Sequence, residues 1–178
     1  MTNLICTPVS SSFQVERMRE IYNSNLDALA THPVPYRSYE EQQQWWEKAK
    51  AYSQAYLYSP KNMPDEYVAF MVLRQREGFK TPILAIDKPY WHCGYGKEII
   101  RDYIIKADGP LAGEQLQSNG AICHLNQKMG WQIVGKRQEG SDVSLLLFHP
   151  GINSQKVCSS ETFINILSYL GLNSDAFD

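Results

Sequence analysis

The stretch from Pro82 to Ala107 constrains this chain more than any other. It reads Pro-Ile-Leu-Ala-Ile-Asp, then Lys-Pro-Tyr-Trp-His-Cys-Gly-Tyr-Gly-Lys, then Glu-Ile-Ile-Arg-Asp-Tyr-Ile-Ile-Lys-Ala. The apolar run Ile83 to Ile86 is short and β-branched, which predicts a buried strand. From Gly94 to Ala107, residues Ile99, Ile100, Tyr103, Ile104 and Ala107 share one helical face. A glycine-bearing turn joins the two. A helix start offers unpaired backbone N–H groups and the positive end of the macrodipole, so it attracts anions. The turn is therefore expected to hold the pyrophosphate of a cofactor.

Spacing removes two phosphate loops. A nucleotide-binding P-loop needs a glycine five residues before its Gly-Lys pair and a Ser or Thr after it; here those places hold Trp91 and Glu98. The dinucleotide fingerprint needs a third glycine where this chain has Ile99. What is left is Gly94 and Gly96 closing the turn, with Lys97 in the first helical turn.

With Trp91-His92-Cys93-Gly94-Tyr95-Gly96 between a strand and a helix, the segment resembles the acetyl-coenzyme A loop of the GNAT superfamily of N-acetyltransferases, Gln/Arg-x-x-Gly-x-Gly/Ala. Trp91 replaces the usual Gln or Arg. The amides of Cys93 to Lys97 can still anchor phosphate, because backbone donors do not depend on residue type. A second segment is similar to the family too: Asn119, then Lys128, Gly130 and Trp131 stand where it carries an Asn and a Lys-x-Gly-Phe ending. The resemblance spans about Phe13 to Phe148. It implies a mixed α/β fold, a mostly antiparallel central sheet flanked by helices.

The rest of the chain agrees with a single sheet. An edge strand is expected at Leu4 to Thr7, then a helix capped by Ser12 with Val15, Met18, Tyr22, Leu26 and Leu29 on one side. His32-Pro33-Val34-Pro35 breaks it. Ser38-Tyr39-Glu40-Glu41 is a capping box for a second helix to about Tyr52. That helix carries Trp45 and Trp46, adjacent and so expected to face apart, one to the core and one to a cleft or solvent. Strands are predicted at Ala55 to Tyr58 and Tyr67 to Arg74, the second apolar on both faces. After Asp108-Gly109-Pro110 come a poor strand, Leu111 to Gln117, and a short helix marked by Ala121, Ile122, Leu125 and Met129 and stopped at Gly130. Trp131 to Gly135 and Val143 to Phe148 read as a hairpin joined by the polar stretch Lys136 to Asp142.

Residues 1–150 are assigned to the acetyltransferase-like domain and 151–178 to an extension. In the extension Ser160 is expected to cap a helix with Phe163, Ile164, Leu167 and Leu170 on one side. Its stripe must pack on its own domain or on a second copy of the chain, which keeps a homodimer open.

A net charge of −2 argues against a nucleic-acid partner, and neither a signal peptide nor a membrane-length apolar run is evident. Four scattered cysteines, Cys6, Cys93, Cys123 and Cys158, fit a cytoplasmic chain with reduced thiols. His92-Cys93 and Cys123-His124 lack the spacing of zinc ligands, so no metal is expected.

The resemblance implies acetyl transfer from acetyl-coenzyme A to a primary amine by direct attack in a ternary complex. It places the pantetheine arm along Leu84, Ala85, Ile86 and Asp87, and the pyrophosphate at Trp91, His92, Cys93, Gly94, Tyr95, Gly96 and Lys97. Asn119 and Asn126 contribute from the downstream segment. The attacking amine needs positioning and a base. Glu114, Asp87 and His149 are candidates, Glu114 first, since a carboxylate on a strand splayed from the central one can reach the cleft. Asn126 stands where the family often has a Tyr that protonates the thiolate; its amide can donate a hydrogen bond but not a proton. The acceptor is expected in the loop Thr31 to Ser38, with Tyr36, Tyr39 and Trp45 as walls that suit a ring-bearing molecule such as an amino sugar. Two alternatives stay open: a coenzyme A-binding module without catalysis, and a hydrolase using Cys93 or Cys123 with a His.

Overall fold

A computed structural model describes residues 3–29, 35–152 and 158–172, with the backbone alone at Glu139. The Pro33 break and the first half of the predicted acceptor loop lie outside these residues. One seven-stranded sheet runs in the order β1-β2-β3-β4-β5-β7-β6. Its strands are β1 (Leu4–Pro8), β2 (Ser53–Pro60), β3 (Ala69–Gln75), β4 (Lys80–Ile86), β5 (Leu111–Leu116), β6 (Gln132–Glu139) and β7 (Asp142–His149). Every neighbouring pair is antiparallel except β4 and β5, which are parallel and paired only at Lys80 and Leu111. Beyond that point the two strands splay.

Five helices cover the sheet: α1 (Ser12–Ser24), α2 (Tyr39–Ala49), α3 (Tyr95–Ala107), α4 (Gly120–Lys128) and α5 (Ser160–Tyr169). Strand parity assigns their sides. Leu84 and Ile86 of β4, with Leu111 of β5, pack with Ile99, Ile100, Tyr103 and Ile104 of α3 and Leu125 of α4. Ile83 and Ala85 turn to the other face, where Phe70 and Val72 meet Val15, Met18 and Ile21 of α1. Ala112, the next residue after Leu111, is on that second face and packs with Ile166 and Leu170 of α5. So α1, α2 and α5 share one side of the sheet, and α3 and α4 cover the other. Both faces of β3 are buried, as its unbroken apolar run requires.

Several boundaries differ from the sequence reading. The cap of α1 is Ser11, not Ser12, in a reciprocal box with Gln14; Leu26 and Leu29 lie beyond the helix, in the turns after Ser24. Ser159, not Ser160, caps α5, and Ile164 faces solvent while Ile166, Leu167 and Leu170 are buried. The α5 stripe is covered by Phe79, Ala112 and Leu146 of the same chain. The polar stretch after Gly135 is strand rather than loop: β6 and β7 pair as far as Glu139 and Asp142, leaving a two-residue turn. Trp45 and Trp46 line separate crevices, as adjacent helix positions should. Both are half-buried against the α1 cluster, with ring centroids 6.1 Å apart.

Candidate active site

The β4–β5 splay opens into a groove of about 400 Å³. Its floor is Leu84, Ala85 and Ile86, and its rim at the helix start is Trp91, His92, Gly94, Gly96 and Lys97. Across from them stand Asn119, Ala121, Ile122 and Leu125. Asn25, Ala28 and Leu29, from the end of α1, close the remaining side.

Glycine matters at two places on the rim. Gly94, the N-cap of α3, has φ +84° and no side-chain cap bond, so the first amides of α3 keep their orphan donors. Gly96 permits close packing of α3, since a Cβ there would sit 3.1 Å from Leu125 Cδ2 and 3.6 Å from Ile86 Cδ1. His92 is also left-handed, at φ +63°, which turns the chain tightly into the helix.

Register fixes which strand groups face the groove. The Asp87 amide donates to the Val68 carbonyl. Alternation along an antiparallel ladder then leaves the polar groups of Leu84 and Ile86 pointing away from β3, toward the splay. The Ile86 carbonyl accepts from the Trp91 indole Nε1 at 2.7 Å and from Asn25 Nδ2 at 3.0 Å. Asn119 caps α4 through Ile122 N, and its Nδ2 reaches the Ala28 carbonyl at 3.5 Å.

Leu84, Ala85, Ile86, Trp91, His92, Gly94, Gly96, Lys97 and Asn119 are thus brought together. Tyr95 packs against the α3 core cluster and Cys93 is exposed, and neither side chain lines the groove. Asn126 does not line the groove: it is buried, with Nδ2 donating to Gln115 Oε1 at 2.6 Å. Asp87 does not line it either. Its carboxylate accepts from Arg17 at 2.6 Å and from Ser24 Oγ at 3.1 Å, which ties α1 to the end of β4. Glu114 stands on the α1, α2 and α5 side, paired with Arg137 at 2.6 Å. His149 is buried; its Nε2 meets the Met129 carbonyl and its Nδ1 accepts from Gly151 N, so both ring nitrogens are used structurally.

Of the expected acceptor walls, Tyr36 and Tyr39 are largely exposed and only Trp45 faces into a crevice. Cys93 and Cys123 make their polar contacts with backbone carbonyls of Trp91, Leu116 and Gln117, and burial pushes the Cys123 thiol up, which disfavours a thiolate nucleophile. Asn25, Ala28 and Arg17 escaped the sequence reading, and Leu29 entered it only as an apolar helix-face residue. Asn25 carried a faint signal, as a polar residue just past the apolar stripe of α1. Among the described residues no group of three His, Cys, Asp or Glu is placed to hold a metal, and no helix is long and apolar enough to cross a membrane.

No family model and no curated protein matches the sequence. Solved structures do. A spermidine N-acetyltransferase from Vibrio cholerae, crystallised with CoA and spermine, superposes with TM-score 0.72 at 10% identity, over 84% of this chain and 96% of that one. A protein assigned as a phosphinothricin N-acetyltransferase gives 0.70 at 15% identity, over 83% and 98%. This chain therefore has the mixed α/β fold of these N-acetyltransferases, a GNAT-like fold.

Proposed function

We propose that this protein is an N-acetyltransferase that moves an acetyl group from acetyl-coenzyme A to a primary amine. The observation that carries this reading is the groove between β4 and β5, which ends at an uncapped helix start with glycine at φ +84°. The groove suits a thin, amide-bearing arm with a phosphate end. Its walls are mainly apolar, the Leu84 and Ile86 polar groups face inward, and anion-binding amides close its far end.

Cys93 to Lys97 would hold the pyrophosphate through main-chain N–H groups, and Leu84 to Ile86 would hold the arm. Acetyl-coenzyme A supplies the acyl group as a thioester when bound. The protein then positions the amine, excludes water from the splay and supplies a proton acceptor. Glu114 is the proposed base, acting from the α1, α2 and α5 side of the opening. Arg137 fixes its carboxylate at 2.6 Å. Asp87 serves as a structural anchor instead. The Vibrio cholerae protein binds spermine alongside CoA, which supports an amine acceptor in general terms.

A second reading, a coenzyme A-binding module without turnover, is favoured by one observation. Both candidate carboxylates are ion-paired and Asn126 does not line the groove. One experiment separates the two. Acetyl-coenzyme A at a hundred times its Kd stabilises by about 2.7 kcal/mol, raising Tm by roughly 5–10 °C for a chain of this size. Free thiol released with a panel of primary amines then reports transfer. A Tm rise without thiol release selects the module, and no Tm rise removes both readings.

A further inference from the structure

On the α1, α2 and α5 side of the sheet, three arginines converge beside the groove. Arg74 leaves the end of β3, paired with Thr81 of β4, and so stands on the same face as Ile83. Arg76 follows it in the turn to β4 and lies over the Tyr169 ring of α5, 5.2 Å from the centroid. Arg37 enters from the segment before α2. Its guanidinium lies 4.0 Å from the Tyr22 centroid and 5.3 Å from Trp45, and Arg74 is 5.7 Å from the same Trp45.

Arg37 is tied down by hydrogen bonds. The Arg37 backbone bonds to Asn23 at both its N–H and its carbonyl, and its Nη1 donates to buried Gln42. Yet none of the three guanidiniums makes an ion pair among the described residues. The Nε atoms of Arg74 and Arg76 are buried without a hydrogen-bond partner. Burial, then the neighbouring charges of Arg76 and Arg37, pulls Arg74 below its ordinary value. The three side chains are otherwise only partly buried, but clustered cations with buried, unpartnered Nε atoms and no counter-charge are costly, and a fold retains them where something anionic completes them. Ile83 walls the crevice beneath Arg37 and Arg74, while the next two residues, Leu84 and Ala85, wall the cofactor groove. The crevice itself has room for about 20 Å³, so an oxyanion would meet the guanidinium forks at its mouth.

Resting on the acetyl-transfer reading, we infer that Arg37, Arg74 and Arg76 form an oxyanion subsite that selects acceptor amines carrying a carboxylate or phosphonate-type group. Aromatic rings beside all three guanidiniums pre-orient them at low entropic cost. The same charge repels polycationic amines.

Equilibrium titration in saturating CoA tests this with 4-aminobutyrate, 3-aminopropylphosphonate, butylamine and spermidine as probes. Both acidic amines are expected to bind at least about tenfold more tightly than butylamine or spermidine. Arg74→Gln and Arg37→Gln should each remove most of that preference, and Arg74→Lys should keep part of it. Retention of the acetyl-coenzyme A Tm shift shows that each variant is folded. Should a Gln variant fail to fold, the wild-type preference and the Lys variant decide. Equal affinities in the wild type, no binding of either acidic amine, or a preference that survives both Gln variants overturns the subsite. A wild-type preference for acidic amines with no acetyl-coenzyme A Tm shift leaves the subsite standing and removes the transferase reading.

Discussion

The indole N–H of Trp91 donates to the Ile86 carbonyl at 2.7 Å, and that oxygen also accepts from Asn25. Both lone pairs of the carbonyl at the mouth of the splay are therefore engaged by the protein itself. A pantetheine amide reaching this oxygen must displace one of them. A net hydrogen bond is worth about 0.5–1.5 kcal/mol. Trp91→Phe, which keeps the ring and deletes the donor, is expected to bind acetyl-coenzyme A roughly two- to tenfold more tightly by titration calorimetry. Unchanged or weaker affinity would show that the arm leaves Ile86 alone.

Two glycines at helix starts should respond oppositely to alanine. Gly94 has φ +84°, which a Cβ disfavours although the space around it is open, so Gly94→Ala is expected to cost about 1–2 kcal/mol. Gly120 opens α4 with no positive φ and nothing within 4 Å of a new Cβ. Gly120→Ala should gain about 0.4–1 kcal/mol. Urea midpoints of the two variants, at constant m, check the contrast.

The two carboxylates should separate in kinetics. Asp87→Asn breaks the half-buried pair with Arg17 and is expected to lower stability by about 1–3 kcal/mol, less than the loss for a fully buried pair. The acidic limb of its pH–rate profile should persist. Glu114→Gln should instead lower kcat by about a hundredfold or more and flatten that limb. Wild-type turnover in Glu114→Gln removes it as the base.

His149 links stability to pH. Burial holds its pKa below the ordinary 6.5, and its Nδ1 accepts from Gly151 N, an acceptor role only the neutral ring can play. Below about pH 6.5 the unfolded chain takes up a proton that the folded chain refuses. Stability is therefore complete above that pH and declines as pH falls through the window beneath it. Tm is expected to drop between pH 7 and 5.5, and His149→Gln should flatten the slope there while lowering Tm at pH 7. An identical slope in the variant would assign the effect elsewhere.

What the sequence made legible was local. Ile83 to Ile86, the glycine turn and the Ile99–Ala107 stripe each carry their signal within a few residues, and the groove floor and rim follow from them. The first half of β6 is legible as strand, but its second half reads as loop because Lys136, Arg137 and Gln138 lack alternation; their strand state comes from register against Val143, Ser144 and Leu145. Asp87 and Glu114 were legible as carboxylates, but not as partners of Arg17 and Arg137, which come from 70 and 23 residues away. The arginine cluster was illegible for the same reason. Arg37, Arg74 and Arg76 look ordinary one by one, and only the pairing of β3 with β4 and the docking of α2 bring them together.

Because β4 and β5 share a single pair at Lys80 and Leu111, the sheet is two ribbons hinged at one end. Side chains of α3 and α5 clasp the ribbons, but little backbone ladder joins them. The free protein should open in two cooperative blocks, β1 to β4 and β5 to β7, with the Leu84 and Ile86 amides among the faster to exchange. An extended guest seated in the splay would act as a missing strand and fuse the blocks into one. Occupancy would then be written into the protein's cooperativity as well as its melting point.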